Sequence, residues 1–293
     1  MNILITGTSS GFGLLTAKTL ATKGDTVFAS MRDIGGKNAA AAGELRAWAE
    51  REGKKVYTVE LDVRDDASVN HAVKHILETA GHLDVVVNNA GLLALGFEEA
   101  FTPQQVQEIF DVNIVGVQRV NRAVLPSMRA RGSGLLIHIA SVIGRWVLPC
   151  MGLYCATKFA LEALAEAYRY ELSPLGVDSI IVEPGPSPTG VIGRLVPPAD
   201  TDRMASYGDA LKIAEQLNAG FEGMLSGPNA PNPQLVADAI SKLIDTPVGQ
   251  RPLRTIVDPL MGPVTEVINA AAGQAQTGVM ANMGMQALLQ PKV

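Results

Sequence analysis

Two cysteines and four histidines are few soft metal ligands for a chain of 293 residues. Cys150 and Cys155 match no zinc or redox-pair spacing, so they build neither a disulfide framework nor a metal site. A reducing compartment is the simplest setting for them. His71 and His75 sit one helical turn apart, but no third ligand accompanies them and no metal is expected. Aromatic residues make up only 5% of the chain, charged residues 18%, and the net charge is -5. There is no basic field to hold a polyphosphate backbone, which argues against nucleic acid as a partner. No apolar run reaches the roughly 18 residues that a membrane-spanning helix needs. The opening Met1-Asn2-Ile3-Leu4-Ile5-Thr6-Gly7 is too short, and lacks the basic flank, to serve as a signal peptide. The expectation is a cytoplasmic protein with no membrane span.

What is present is a chain 47% hydrophobic with 29 glycines, the composition of a soluble α/β protein. Short β-rich runs alternate with helical patterns. Strands are expected at Asn2–Thr6, Thr26–Ala29, Val56–Leu61, Val85–Asn88, Leu135–Ala140, Ser179–Val182 and Leu253–Val257. Between them the periodicity predicts helices, including one long helix over Pro103–Arg131 and others over Leu153–Leu172, Ser206–Met224 and Gln234–Asp245. Alternation of this kind implies right-handed crossovers and a parallel sheet buried on both faces. The expected fold is therefore α/β: a doubly wound, Rossmann-type parallel sheet of about seven strands with helices on both faces. The whole of 1–293 reads as a single domain, with 186–230 as a substrate loop or lid. The tail 262–293 stays open between a helix, a lid and an oligomer contact.

Two motifs carry chemistry. Thr6-Gly7-Thr8-Ser9-Ser10-Gly11-Phe12-Gly13 lies between the first strand and the first helix. Glycines in a GxxxGxG spacing let backbone approach a pyrophosphate, and the helix start offers free N–H groups to its charge. Tyr154-Cys155-Ala156-Thr157-Lys158 places a phenol and an amine one turn apart on the same helix face. An ammonium beside a phenol favours the phenolate and is expected to lower the tyrosine pKa toward useful proton transfer.

GxxxGxG, then Asn88-Asn89-Ala90-Gly91, Ser141, Tyr154/Lys158 and Pro184-Gly185 occur in one order and register. This set resembles the short-chain dehydrogenases/reductases, and more loosely their steroid- and retinol-dehydrogenase branch. The resemblance implies a dinucleotide cofactor and assigns roles. Tyr154 corresponds to the acid/base, and Ser141 to the hydroxyl that holds the substrate oxygen. Lys158 corresponds to the residue that binds the nicotinamide ribose and tunes Tyr154. Asn113 corresponds to the asparagine that holds a water in a proton relay from Lys158. The cofactor would be held by Gly7, Ser9, Ser10, Gly11, Phe12 and Gly13. Asp62 and Val63 would contact the adenine, with a helix N-cap as the other reading of Asp62. Asn89, Ala90 and Gly91 would line the ribose, while Pro184, Gly185, Ser187 and Thr189 would hold the carboxamide. Pro186 and Pro188 carry no N–H, so Ser187 is the donor of that loop.

The family acid that selects NAD stands where this chain has Met31, and Arg32 follows it. A guanidinium suits a 2′-phosphate, so NADP(H) is preferred, with NAD(H) possible if Asp33 turns inward. Leu92, Leu93, Leu95, Val142, Trp146, Val147, Leu148, Met151 and Leu195 would surround a pocket for a lipophilic alcohol or ketone. A homodimer or homotetramer is implied by the resemblance alone. The expected function is that of an NADP(H)-dependent alcohol dehydrogenase or carbonyl reductase. The alternative is a cofactor-sensing binding protein on the same fold that does not turn over.

Overall fold

The computed structural model describes residues 1–190 and 192–289. Val191 and the end of the expected tail, 290–293, lie outside the described residues. Seven strands form one parallel sheet: β1 (Asn2–Ile5), β2 (Thr26–Met31), β3 (Val56–Glu60), β4 (Val85–Asn88), β5 (Gly134–Ile139), β6 (Val177–Pro184) and β7 (Arg254–Val257). Their order is β3-β2-β1-β4-β5-β6-β7, so the winding reverses between β1 and β4. That reversal opens a crevice at the carboxyl ends of the strands, where such sheets bind ligands. The register pairs Ile3 with Val27 on one side and with Val85 on the other.

The strands are continuous apolar runs because both faces are covered. Ile3, Ile5, Val85 and Val87 point into one core, against helices α1 (Gly11–Lys23) and α2 (Ala39–Arg51). Leu4, Val86 and Leu136 point into the other, against α3 (Asp66–Ala80). The alternation is the period of two that a strand imposes.

The long helix expected at Pro103–Arg131 is interrupted. Thr102 and Gln105 form a reciprocal capping box, with Pro103 in the first turn, and α4 runs Pro103–Phe110. A π turn follows at Asp111–Val115, and α5 then runs Gly116–Arg131. The Gly116 N–H reaches back to the Asp111 carbonyl, which accommodates one extra residue in the ladder. Asn113 sits at its centre. Hydrophobic periodicity does not distinguish such a turn from the α-helix around it.

Beyond α5 come α6 (Gly152–Leu172), α7 (Thr201–Ala205), α8 (Leu211–Ser226), α9 (Gln234–Asp245) and α10 (Gly262–Asn282). The tail is thus largely a helix, opened by Pro263. β6 extends past the expected Ser179–Val182 at both ends and takes in Asp178 and Glu183, which are buried and paired.

Candidate active site

The first turn is locked by side chains before any ligand is considered. Thr6 Oγ1 accepts from the backbone N–H groups of Asn89 and Ala90 at 3.0 Å each. Asn89 Nδ2 donates to the carbonyls of Thr6 and Gly7. A Cβ on Gly13 would lie 2.5 Å from both Asn89 Nδ2 and the Gly7 carbonyl oxygen, so only glycine fits. Ser10 precedes α1 without capping it through its side chain, and the N–H groups of Gly11, Phe12 and Gly13 find no acceptor among the described residues.

Gly7, Ser9, Ser10, Gly11 and Phe12 line a groove of about 350 Å³ together with Arg32, Asp62, Val63, Asn89, Ala90, Gly91 and Thr189. These residues were expected to hold a cofactor, and the fold brings them to one groove. The cradle fits a dinucleotide: free N–H groups at the phosphate end, and no side chain on Gly7, Gly11 or Gly13 to fill it. Gly13 itself packs beneath the turn. Pro184, Gly185 and Ser187 lie on the adjoining wall. The Ser187 N–H finds no acceptor among the described residues, as a carboxamide donor requires.

The adenosine end carries cations. Arg32, Lys37 and Arg64 surround it with Asp33, Glu60 and Asp62. All three acids are engaged locally. Asp62 accepts from Arg64 Nη2 at 2.8 Å, and this hydrogen bond holds its carboxyl below the ordinary range. Glu60 accepts from the N–H groups of Asp33 and Ile34, while Asp33 accepts from that of Lys37. Asp33 therefore turns into its own loop rather than inward. The N-cap of α3 is Asp65, not Asp62.

The catalytic candidates meet at the other end. A Cβ on Gly144 would sit 3.2 Å from Lys158, and its absence lets the short turn after β5 lie on α6. Ser141, which opens that turn, lines the same cavity as Tyr154 and Lys158. Ser141 Oγ also donates to the Pro184 carbonyl at 3.4 Å. Lys158 Nζ lies 5.5 Å from the Tyr154 ring centroid and donates to the Ile139 carbonyl at 2.8 Å. Asn113 Oδ1 accepts from the Leu92 N–H, while its Nδ2 donates to the Leu92 carbonyl and to Thr157 Oγ1. Its side chain thus ties the Leu92 backbone to Thr157 at the edge of the site.

One expectation is reversed. Burial pushes the Tyr154 phenol well above its ordinary value, against the smaller opposing effect of the Ser141 hydroxyl. Burial also pulls the Lys158 ammonium down to about 8, partly offset by Glu162. An apolar wall penalises both charged forms, and that penalty outweighs the attraction expected between them.

That wall belongs to a cavity of about 440 Å³ that shares Phe12, Asn89, Gly91, Leu92, Leu93 and Thr189 with the groove. Val142, Trp146, Leu148, Met151 and Leu195 line it as expected. Val147 does not, being 62% exposed, and Leu95 packs behind the lining. Leu217, Phe221 and Met224 of α8 and Met261 complete it, and sequence reading missed them. It also missed Arg194, whose guanidinium bridges Ser10 Oγ and the Thr189 carbonyl across the groove. A lone arginine carries no periodic signal.

The constellation and the sheet define a class, a nucleotide-dependent oxidoreductase fold. The family model for short chain dehydrogenases matches residues 1–198, and the chain belongs to that family. It is 34% identical over 263 residues to a 3-ketodihydrosphingosine reductase of Bacteroides thetaiotaomicron, covering 88% of each chain. It is 34% identical over 258 residues to retinol dehydrogenase 8 of Bos taurus, covering 86% of this chain and 80% of that one. Among solved structures, a short-chain dehydrogenase from Streptomyces avermitilis superposes with a TM-score of 0.75 at 28% identity, over 97% of both chains. An alcohol dehydrogenase from Thermococcus sibiricus, complexed with 5-hydroxy-NADP, gives 0.69 at 26% identity, over 87% of this chain and 95% of that one. Among the described residues, no helix is long and apolar enough to cross a membrane.

Proposed function

We propose that this protein is an NADP(H)-preferring oxidoreductase that interconverts a secondary alcohol and a carbonyl on a lipophilic substrate. The observation that carries this reading is the seam between the two cavities. Ser141, Tyr154 and Lys158 line one wall together where a polar groove opens into an apolar chamber. When bound, the nicotinamide supplies or accepts the hydride.

The chain's own residues handle the rest. Ser141 and Tyr154 donate hydrogen bonds to the substrate oxygen. Tyr154, held protonated by its surroundings, gives its proton to that oxygen as a carbonyl is reduced. Lys158 holds the ribose next to the nicotinamide, and Asn113 fixes Leu92 and Thr157 around it. Ser187 donates its N–H to the carboxamide, and Thr189 closes over Gly11. The segment 186–230 acts as the lid. Arg32, with Lys37 and Arg64 nearby, favours a 2′-phosphate, since the acids there are already engaged. The complete proton-handling set favours turnover over a sensing role.

Titration with NADPH and NADH, followed by a carbonyl panel, tests the reading. Tighter NADPH binding and turnover of long-chain or polycyclic ketones are expected. Turnover of small polar polyols with no activity on lipophilic carbonyls rules the substrate class out.

A further inference from the structure

Behind the catalytic residues lies a buried charged cluster that the proposed chemistry does not use. Glu162 follows Lys158 by one turn of α6, and Glu183 immediately precedes Pro184 on β6. They are 2% and 0% exposed. Arg254 of β7 donates through Nε to Glu162 Oε2 at 2.8 Å and through Nη2 to Glu166. The same Nε stays 4.0 Å from Glu183 Oε1. Glu183 Oε2 accepts from Asn269 Nδ2 of α10 at 2.6 Å, and Asn269 Oδ1 accepts from Arg145 Nε at 2.7 Å.

Each carboxyl therefore has one satisfied oxygen. The remaining two, Glu162 Oε1 and Glu183 Oε1, have no donor among the described residues. Arg254 Nε lies 2.8 Å from Glu162 Oε2 and 4.0 Å from Glu183 Oε1, which makes the two carboxyl groups near neighbours in the interior. Ionised carboxylates only accept, so two of them side by side in the interior repel and leave both oxygens unpaired. A single proton between them converts the repulsion into a hydrogen bond and satisfies both.

We infer that Glu162 and Glu183 form a buried one-proton site that fastens helix α10 to the back of the active site. The fastening bears on the substrate cavity. Thr265 of α10 accepts from Trp146 Nε1 at 3.1 Å, and Met261, just before α10, lines the chamber. The charged and titratable groups around the pair are Lys158, Glu166 and Tyr170 on α6, Arg145 after β5 and Arg254 on β7. Helix α10 brings the neutral Asn269 against the pair, while its Glu266 is exposed.

Burial raises Glu162 to about 7, the Glu183 charge adds to this, and Arg254 opposes it; burial raises Glu183 as well. In an unfolded chain both carboxyls ionise near 4.5. Between these values the folded chain holds one proton more than the unfolded chain. The stabilisation is complete below about 4.5 and is lost as pH rises through about 7. One extra proton makes the unfolding constant rise about tenfold per pH unit within that window.

Glutamine at either position mimics a permanent shared proton, because its amide donates to the remaining carboxylate. Urea unfolding of the full chain at about pH 5.5 and about pH 6.5 tests the site without requiring any turnover. The wild-type unfolding constant is expected to rise about tenfold more over that unit than in Glu162→Gln or Glu183→Gln. Equal slopes in all three overturn the proposal. Infrared spectra of the folded wild type provide a measurement that depends on no variant. A protonated-carboxyl C=O band should fade as pH passes about 7, and its absence overturns the shared proton. Amide exchange in 262–282, corrected for intrinsic rate, should quicken in the wild type above about pH 7. Exchange that stays as slow as at low pH overturns the fastening of α10.

Discussion

The two halves of this molecule are built in different ways. The cofactor groove is a frame of backbone held by specific side-chain bonds: Thr6 Oγ1 and Asn89 Nδ2 tie two strand ends together, and Gly13 packs beneath the turn. The substrate chamber is walled by side chains from α8, which buries none of its own residues fully, and from the segment around Met261. A frame made of backbone tolerates almost no substitution. A wall made of adaptable side chains changes what it accepts by degrees.

The seam between the halves should show the largest effect. Tyr154→Phe removes the proton donor, and turnover should fall roughly a hundred- to ten-thousand-fold while NADPH binding persists in a fluorescence titration. Unchanged turnover would remove the proposed mechanism. Gly13→Val tests the rigid half. Its side chain meets a carbonyl oxygen at Cβ, so binding of either cofactor should drop more than about a hundredfold, with a stability loss of about 1–3 kcal/mol. A variant that binds normally breaks the contrast.

Arg32→Ala should weaken NADPH about tenfold or more, the scale of a charged hydrogen bond, and leave NADH nearly unchanged. Equal losses with both cofactors remove the NADP preference. Arg194→Ala, by contrast, should weaken both cofactors by similar, few-fold amounts, because it bridges Ser10 of the phosphate turn and Thr189 across the groove. Phe221→Ala on α8 should raise KM for lipophilic ketones about fivefold and leave cofactor binding unchanged. On the alkaline side, wild-type kcat/KM should decline as pH passes about 8, where Lys158 gives up its proton.

The same contrast explains what the sequence discloses. Gly7, Gly11 and Gly13 are legible because backbone geometry demands a residue type at a fixed spacing. Tyr154 and Lys158 are legible because one helical turn joins them. The parallel sheet covered on both faces follows from the alternation of strands with helices, whereas the order of the strands is set by the fold. The rest depends on contacts far apart in the chain. Leu217 and Phe221 read as an ordinary apolar stripe, and nothing local says that they face Met151 and Trp146. The π turn at Asn113 hides within a helical pattern. The local pair with Lys158 is visible in sequence and points the Tyr154 shift downward, whereas the apolar wall that outweighs it is assembled only by the fold.

The most direct test of the central claim follows an isotope. NADPH deuterated at the nicotinamide carbon that gives up hydride is mixed with wild-type protein and a medium-chain methyl ketone, and the alcohol is weighed by mass spectrometry. The account predicts one deuterium on the carbinol carbon, from only one of the two faces of the nicotinamide. NADPH that binds without passing its label to the ketone would contradict it.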